Sequence, residues 1–251
     1  MIKIKTLYHD TPLLRPQLQQ WERIALEKFK AKLKDQEQPF PCIPATIGFT
    51  KNHVRFGFTG DPRLPSTMEE VASLLSDYTK TSKEFGNYTS LIIFYETPPD
   101  LKDTHTVEMF EQLFWKQLSG LCKMDGMNWP NHIPVDPHNP IWEFCFQGEP
   151  YFMYCATPAH LNRKSRHFDY FMLAITPRWV LQEFNKHETF AKSIKSQIRN
   201  RLEAYDTIRI HPDLNSYGNK DNFEWKQYFL RDDESSLSKC PFHRLLNKNI
   251  E

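Results

Sequence analysis

Between Thr157 and Phe168 the chain reads TPAHLNRKSRHF, and His160, Arg163, Lys164, Arg166 and His167 within it can all carry positive charge. The segment is strung between two apolar runs, PYFMYCAT before it and FDYFMLAIT after it. Fixed cations on a rigid floor are what an anion site requires, whether for phosphate, carboxylate or the propionates of a porphyrin. The same residues also describe a solvated hairpin loop. Residue chemistry alone therefore reaches an anion or cofactor site and goes no further.

Other reactive groupings are sparse. Ten histidines are present without an HExxH pair, and His132, Asp136 and His138 share a proline-rich loop that suits either a divalent metal or a rigid turn. There is no GxSxG elbow, and among only eight glycines neither GxGxxG nor GxxxxGK appears, which disfavours serine hydrolysis and nucleotide-driven chemistry. Cysteines stand at 42, 122, 145, 155 and 240, odd in number and without CxxC spacing, so neither a disulfide framework nor a cysteine-rich zinc site is expected. Cys42 and Cys240 each adjoin a proline, in FPC and CPF, and a cysteine held this way can present a thiolate to iron. Cys145 and Cys155 sit in apolar segments and read as small core residues.

These groups need elements to position them. Leu18–Lys34 carries Trp21, Ile24, Ala25, Phe29 and Leu33 near a 3.6-residue period and predicts a helix. Pro39, Pro41 and Pro44 then argue for strands at Ile43–Phe49 and His53–Thr59, joined by a hairpin at Thr50–Asn52. Pro65 followed by Glu69 and Glu70 starts a helix to about Thr81, and Tyr88–Tyr95 is a buried strand. A second long helix is expected over Thr104–Lys123, then a loop over Asp125–Pro140. Strands at Ile141–Gln147, Tyr151–Ala156 and Phe168–Thr176 predict an antiparallel meander, with Gln147–Pro150 and the basic loop as its turns. Arg178–Asn185 and Glu188–Tyr205 read as helices, and the remainder as an irregular tail over the surface, anchored by Trp225, Tyr228 and Phe229. The expected fold is α+β: a single domain over residues 1–251, with an antiparallel-rich mixed sheet flanked by helices and an irregular C-terminal tail.

Bulk composition narrows the partners. With 32 basic and 31 acidic residues the net charge is +1, so no global field favours nucleic acid or an anionic membrane. No apolar run approaches a membrane span, and MIKIKTLYHD lacks the core of a signal peptide; a soluble cytoplasmic protein is expected. Aromatic residues make up 14%, a composition that builds a core from rings and also suits a flat apolar ligand.

A resemblance carries the reading further. FPCIPA at 40–45, TPAHLNRKSRHF at 157–168, TPRWVL at 176–181, QIRNRLEAYD at 197–206, HPDLNSYG at 211–218, EWKQYFLRDD at 224–233 and CPF at 240–242, in that order and spacing, resemble the YqcI/YcgG family over most of the chain. Characterised members of that family are haem-dependent enzymes that N-hydroxylate guanidine groups. The resemblance implies haem b, a small-molecule amine or guanidine substrate, and an electron donor or peroxide. It also admits a haem sensor or carrier without turnover, and a cofactor-free binding protein stands as the rival. His160 is then the first candidate for the iron, with Cys42 or Cys240 as thiolate alternatives and Arg163 and Arg166 for the propionates. A cationic guanidine calls for a carboxylate beside an aromatic face. Glu143, Asp169 and Glu224 adjoin Trp142, Tyr170 and Trp225 respectively.

Overall fold

A computed structural model describes residues 6–9, 15–215, 220 and 222–242. Helix α1 (Gln20–Lys34) is closed at its start by a capping box between Gln19 and Glu22 and buries Ala25, Leu26, Phe29 and Leu33. Next comes α2 (Ile43–Thr50), where strand was expected. Pro44 sits in its first turn, where the missing N–H has no intrahelical partner in any case, so proline opens this helix instead of forbidding it. Thr46 and Thr50 bond back to the carbonyls of Ile43 and Thr46. The supposed hairpin is this helix's exit, with Asn52 at a φ of 59°.

Strand β1 (Arg55–Thr59) leads to α3 (Pro65–Thr81) and β2 (Leu91–Tyr95), and β1 lies parallel to β2. The helix expected over Thr104–Lys123 forms as α5 (Val107–Met124), started by Thr106, which caps the Met109 N–H, and a short α4 (Pro99–Thr104) precedes it. The meander forms as expected, from β3 (Phe144–Phe146), β4 (Glu149–Ala156) and β5 (Met172–Pro177). Its first turn places Gln147 and Gly148 at φ 50° and 76°, the left-handed pair that a two-residue hairpin demands. Helices α6 (Arg178–Asn185) and α7 (Glu188–Tyr205) follow.

The sheet order is β1-β2-β5-β4-β3, mixed and mostly antiparallel, and the fold is α+β. Alternation along each strand splits the core into two layers. Leu91, Ile93, Tyr95, Tyr151, Met153, Leu173 and Ile175 pack with α3 and α5 on one face. Phe56, Phe58, Ile92, Phe94, Ala156 and Met172 pack with α1 on the other, where Phe29 meets Phe49, Phe56, Phe94 and Phe168 edge-on.

The described residues after Asp206 are irregular apart from the short helix α8 (Trp225–Tyr228), but they do not merely coat the surface. Trp225, Tyr228, Phe229 and Leu230 are all buried, and the first three belong to the α3–α5 layer of the core. Short apolar bursts without a helical or strand period hide such a segment from pattern reading. Among the described residues no helix is long and apolar enough to cross a membrane.

Candidate functional site

The basic loop is built as a clamp. Thr157 and Arg166 close it through a backbone bond of 3.0 Å, and Phe168 returns one of 3.1 Å to Thr157. Inside, Arg163 and Arg166 are 1% and 4% exposed. Arg163 donates to the carbonyls of Arg231, Asp233 and Arg209 at 2.9, 2.9 and 3.2 Å. Arg166 donates to those of Tyr228 and Gln227, both at 2.9 Å, with its guanidinium over the Tyr154 ring. Asp232 answers by accepting the backbone N–H groups of Leu161, Asn162 and Arg163, and Asp206 takes the N–H and hydroxyl of Ser165. Lys32 of α1 reaches across to the carbonyls of Lys164 and His167. The loop thus grips residues 227–233, which supply no main-chain ladder of their own.

His160, 1% exposed, lies within this clamp. Its Nε2 donates to the Leu230 carbonyl at 2.8 Å, which fixes Nδ1 as the acceptor of the Thr157 hydroxyl, also at 2.8 Å. Burial pulls its pKa down to about 4, with the nearby arginines adding to the effect, so the ring is neutral. Coordinating iron through His160 costs one of these two bonds, and seating propionates on Arg163 or Arg166 costs carbonyl partners. Beside the loop opens a cleft of about 450 Å³ whose charged rim is Glu108, Asp232 and Asp233, not arginine.

The two proline-flanked cysteines do not meet. Cys42 is partly buried against the α1 layer, and Cys240 is buried in the α3–α5 layer across the sheet. Cys42 stands at the N-cap of α2, where the Arg166 charge favours its thiolate, but burial outweighs this and raises its pKa. Burial pushes Cys240 up to about 12, against a hydrogen bond from the Phe242 backbone. Among the described residues no three His, Cys, Asp or Glu side chains assemble as a metal site, and Asp136 pairs with His138 at 3.0 Å on an exposed turn.

Two of the three carboxylates flanked by aromatic residues do converge. Glu143, one residue before β3, and Glu224, one residue before α8, both pair with the guanidinium of Arg178, the first residue of α6; the Glu224 contact is 2.7 Å. Strand register explains the convergence, because Phe144, Tyr151 and Pro177 form one row across β3, β4 and β5. Beneath that row the Tyr228 hydroxyl accepts the Phe144 N–H and donates to the Tyr151 carbonyl, tying α8 to the sheet. Trp142 and Trp115 lie 6.3 and 6.4 Å from the Tyr228 ring, and Trp225 lies 6.1 Å from Trp115. Within this aromatic chamber, Oε2 of Glu224 and the indole N–H groups of Trp115, Trp142 and Trp225 have no hydrogen-bond partner among the described residues. Burial raises the Glu224 pKa, and Arg178 offsets only part of the rise. Asp169, the third carboxylate, is on the surface with Lys28 at 2.7 Å.

Sequence reasoning passed over Arg178, Asp206 and Asp232. Each was visible only as an ionisable residue at the edge of an apolar or turn-rich segment, in TPRWVL, EAYD and FLRDD.

No solved structure matches the chain. The Bacillus subtilis (strain 168) protein YcgG, uncharacterised, is 48% identical over 234 residues, covering 93% of this chain and 92% of that one. YqcI of the same organism, also uncharacterised, is 47% identical over 238 residues, with 95% and 94% covered. A Streptomyces lavendulae protein named as a putative N(omega)-hydroxy-L-arginine synthase, DcsA, is 30% identical over 232 residues, covering 88% and 84%. The sequence pattern of the YqcI/YcgG family matches residues 29–243, and the chain belongs to that family.

Proposed function

We propose that the protein N-hydroxylates a small amine or guanidine compound, with haem b as cofactor. The observation that carries this reading is the likeness, over most of both chains, to the Streptomyces lavendulae protein named for arginine N-hydroxylation. In the net reaction one oxygen atom enters an N–H bond to give N–OH. With O2 the other atom leaves as water, taking an electron pair and protons from a donor; with peroxide, water is the by-product and no donor is needed.

Of the candidate iron ligands, Cys42 has the donor chemistry that best fits haem. It is fixed by Pro41 before it and by the start of α2 after it, and the Arg166 charge favours its thiolate. When bound, haem supplies oxygen activation, and thiolate ligation favours O–O cleavage. His160 is the alternative: rotation of the Thr157 hydroxyl frees Nδ1, while the bond from Nε2 to the Leu230 carbonyl orients the ring as bonds behind metal-bound imidazoles do. Cys240, whose thiol pKa burial pushes up to about 12, ranks third. Arg163 and Arg166 hold the loop that carries His160, and reach propionates only by releasing carbonyls of residues 227–233.

Reconstitution with hemin tests the reading. The expected result is a Soret band near one haem per chain, shifted or lost in Cys42→Ser and retained in Cys240→Ser. Incubation with L-arginine or agmatine and peroxide, or with O2 and a reductant, should yield an N-hydroxyguanidine by mass spectrometry. A folded protein with no Soret band and no N-oxygenated product removes the proposal. Haem binding without product from any amine or guanidine leaves a sensor or carrier.

A further inference from the structure

Arg178 shows what the chamber around Glu224 is shaped to hold. A planar guanidinium lies between two buried carboxylates, Glu143 at 0% and Glu224 at 3% exposure, with buried Tyr228 close enough to feel both Glu224 and Arg178. Carboxylates recognise this cation through paired N–H donors in a fixed plane, and indole faces add attraction for it. The recognition is incomplete on one side, since Oε2 of Glu224, deep in the chamber, has no donor among the described residues. Arg178 is also placed so that it can leave. It sits at the junction of β5 and α6, and its side chain is 7% exposed, more than either carboxylate. Exchange of one guanidinium for another keeps the buried carboxylates compensated, whereas a neutral ligand displacing Arg178 would uncover them.

We infer that Glu224 and Glu143, each next in sequence to a buried tryptophan, form a recognition site for a free guanidinium or amidinium cation, for which Arg178 is the built-in competitor. That this cation is the head of the substrate rests on the oxygenase reading; the site itself rests on the geometry of the chamber. Glu224 and Glu143 are therefore binding residues, and Arg178 sets the affinity threshold a ligand must overcome.

Truncation of the competitor tests this without haem or turnover. In Arg178→Ala, ethylguanidine at non-denaturing concentrations should raise the melting temperature saturably. Ammonium, urea and sodium chloride should not do so, and wild type should respond far less. Adding Glu224→Gln to Arg178→Ala should weaken this rescue by about tenfold or more, the loss expected when a charge-assisted pair becomes a neutral one. Should Arg178→Ala fail to fold alone, its refolding yield with and without ethylguanidine gives the same answer. In the wild-type background, agmatine should quench the fluorescence of the neighbouring tryptophans, and Glu224→Gln should shift that titration to higher concentration.

Absence of rescue, or rescue equal for ammonium or in the double variant, overturns the site. Guanidine N-hydroxylation with a KM unchanged by Glu224→Gln overturns the assignment of this cation as the head of the substrate, while leaving the oxygenase reading intact. Rescue in a protein that neither binds hemin nor oxidises a guanidine keeps the site and removes the oxygenase.

Discussion

The basic loop and the Glu143–Arg178–Glu224 chamber hold buried arginines in opposite ways. Arg163 and Arg166 direct their hydrogen bonds at backbone carbonyls of residues 227–233, Arg209 and Cys155, with a single buried carboxylate, Asp206, 3.9 Å from Arg163. Arg178 instead faces two carboxylates, one of which retains an oxygen with no donor among the described residues. Burial with saturated hydrogen bonding marks a structural part, because any movement uncovers carbonyls. Burial with a bond left over marks a place where another group can be received. The more strongly charged stretch of sequence thus spends its arginines on holding residues 227–233, whereas the Arg178 cluster is assembled from single ionisable residues far apart in the chain.

The largest effect should come from breaking the scaffold. Arg166→Ala strands the carbonyls of Tyr228 and Gln227 in the core and should cost roughly 3 to 5 kcal/mol, read by urea denaturation. A loss under 1 kcal/mol would show that the loop does not hold the segment (order of magnitude from the same bond energetics).

Acid should act on the same region. His160 has a folded pKa of about 4 against an unfolded value of 6.5, so the unfolded chain binds the extra proton between them. Stability contributed this way is complete above pH 6.5 and lost as the pH falls toward 4, by about 3 kcal/mol in total. His160→Gln should flatten the dependence of the urea midpoint over that window, and an unchanged slope would remove His160 as its source.

Asp232→Ala releases three backbone N–H groups at the loop's tip and should cost about 2 kcal/mol, detectable as faster amide exchange at Leu161, Asn162 and Arg163. In the chamber, by contrast, Glu224→Gln should change stability by less than about 1 kcal/mol, since burial already works against its charge. The sign with pH is opposite to that of His160. A carboxyl whose folded pKa is raised above its unfolded value gains stability as the pH falls through that window, and the variant lacks this gain. If Glu224→Gln proves as damaging as Arg166→Ala, the chamber is scaffold as well. Smallest of all, Lys28→Ala breaks only the exposed pair with Asp169 and should move stability by no more than about 0.5 kcal/mol in thermal unfolding.

Much of the fold was legible where the signal is periodic. The meander, α1, α3, α6 and α7 follow from alternation, helical spacing and the proline that opens α3. Pro41 and Pro44 misled because proline excludes helix interiors but opens first turns, and a short apolar run does not say which applies. The clamp was half legible: the loop's cations announced themselves, but their partners are main-chain carbonyls, which no residue type encodes. For the chamber, Glu143 and Glu224 were visible as carboxylates beside tryptophan. Their meeting depends on β3–β4–β5 register and on the placement of α8, and Arg178 carries no local signal that it is buried.

The grip of Arg163 and Arg166 on residues 227–233 bears on how the molecule is made. The loop and its partner carbonyls are separated by 61 to 70 positions along the chain. During synthesis the meander can emerge and pair, but two arginines and a histidine at its second turn remain without these acceptors until residues 227–233 leave the ribosome. Until then that turn is the weak point of the nascent sheet, exposed to proteases and to mispairing. A stop codon anywhere ahead of Asp233 would leave the defect permanent, so the quality of the finished sheet is decided by a stretch that contributes no strand to it.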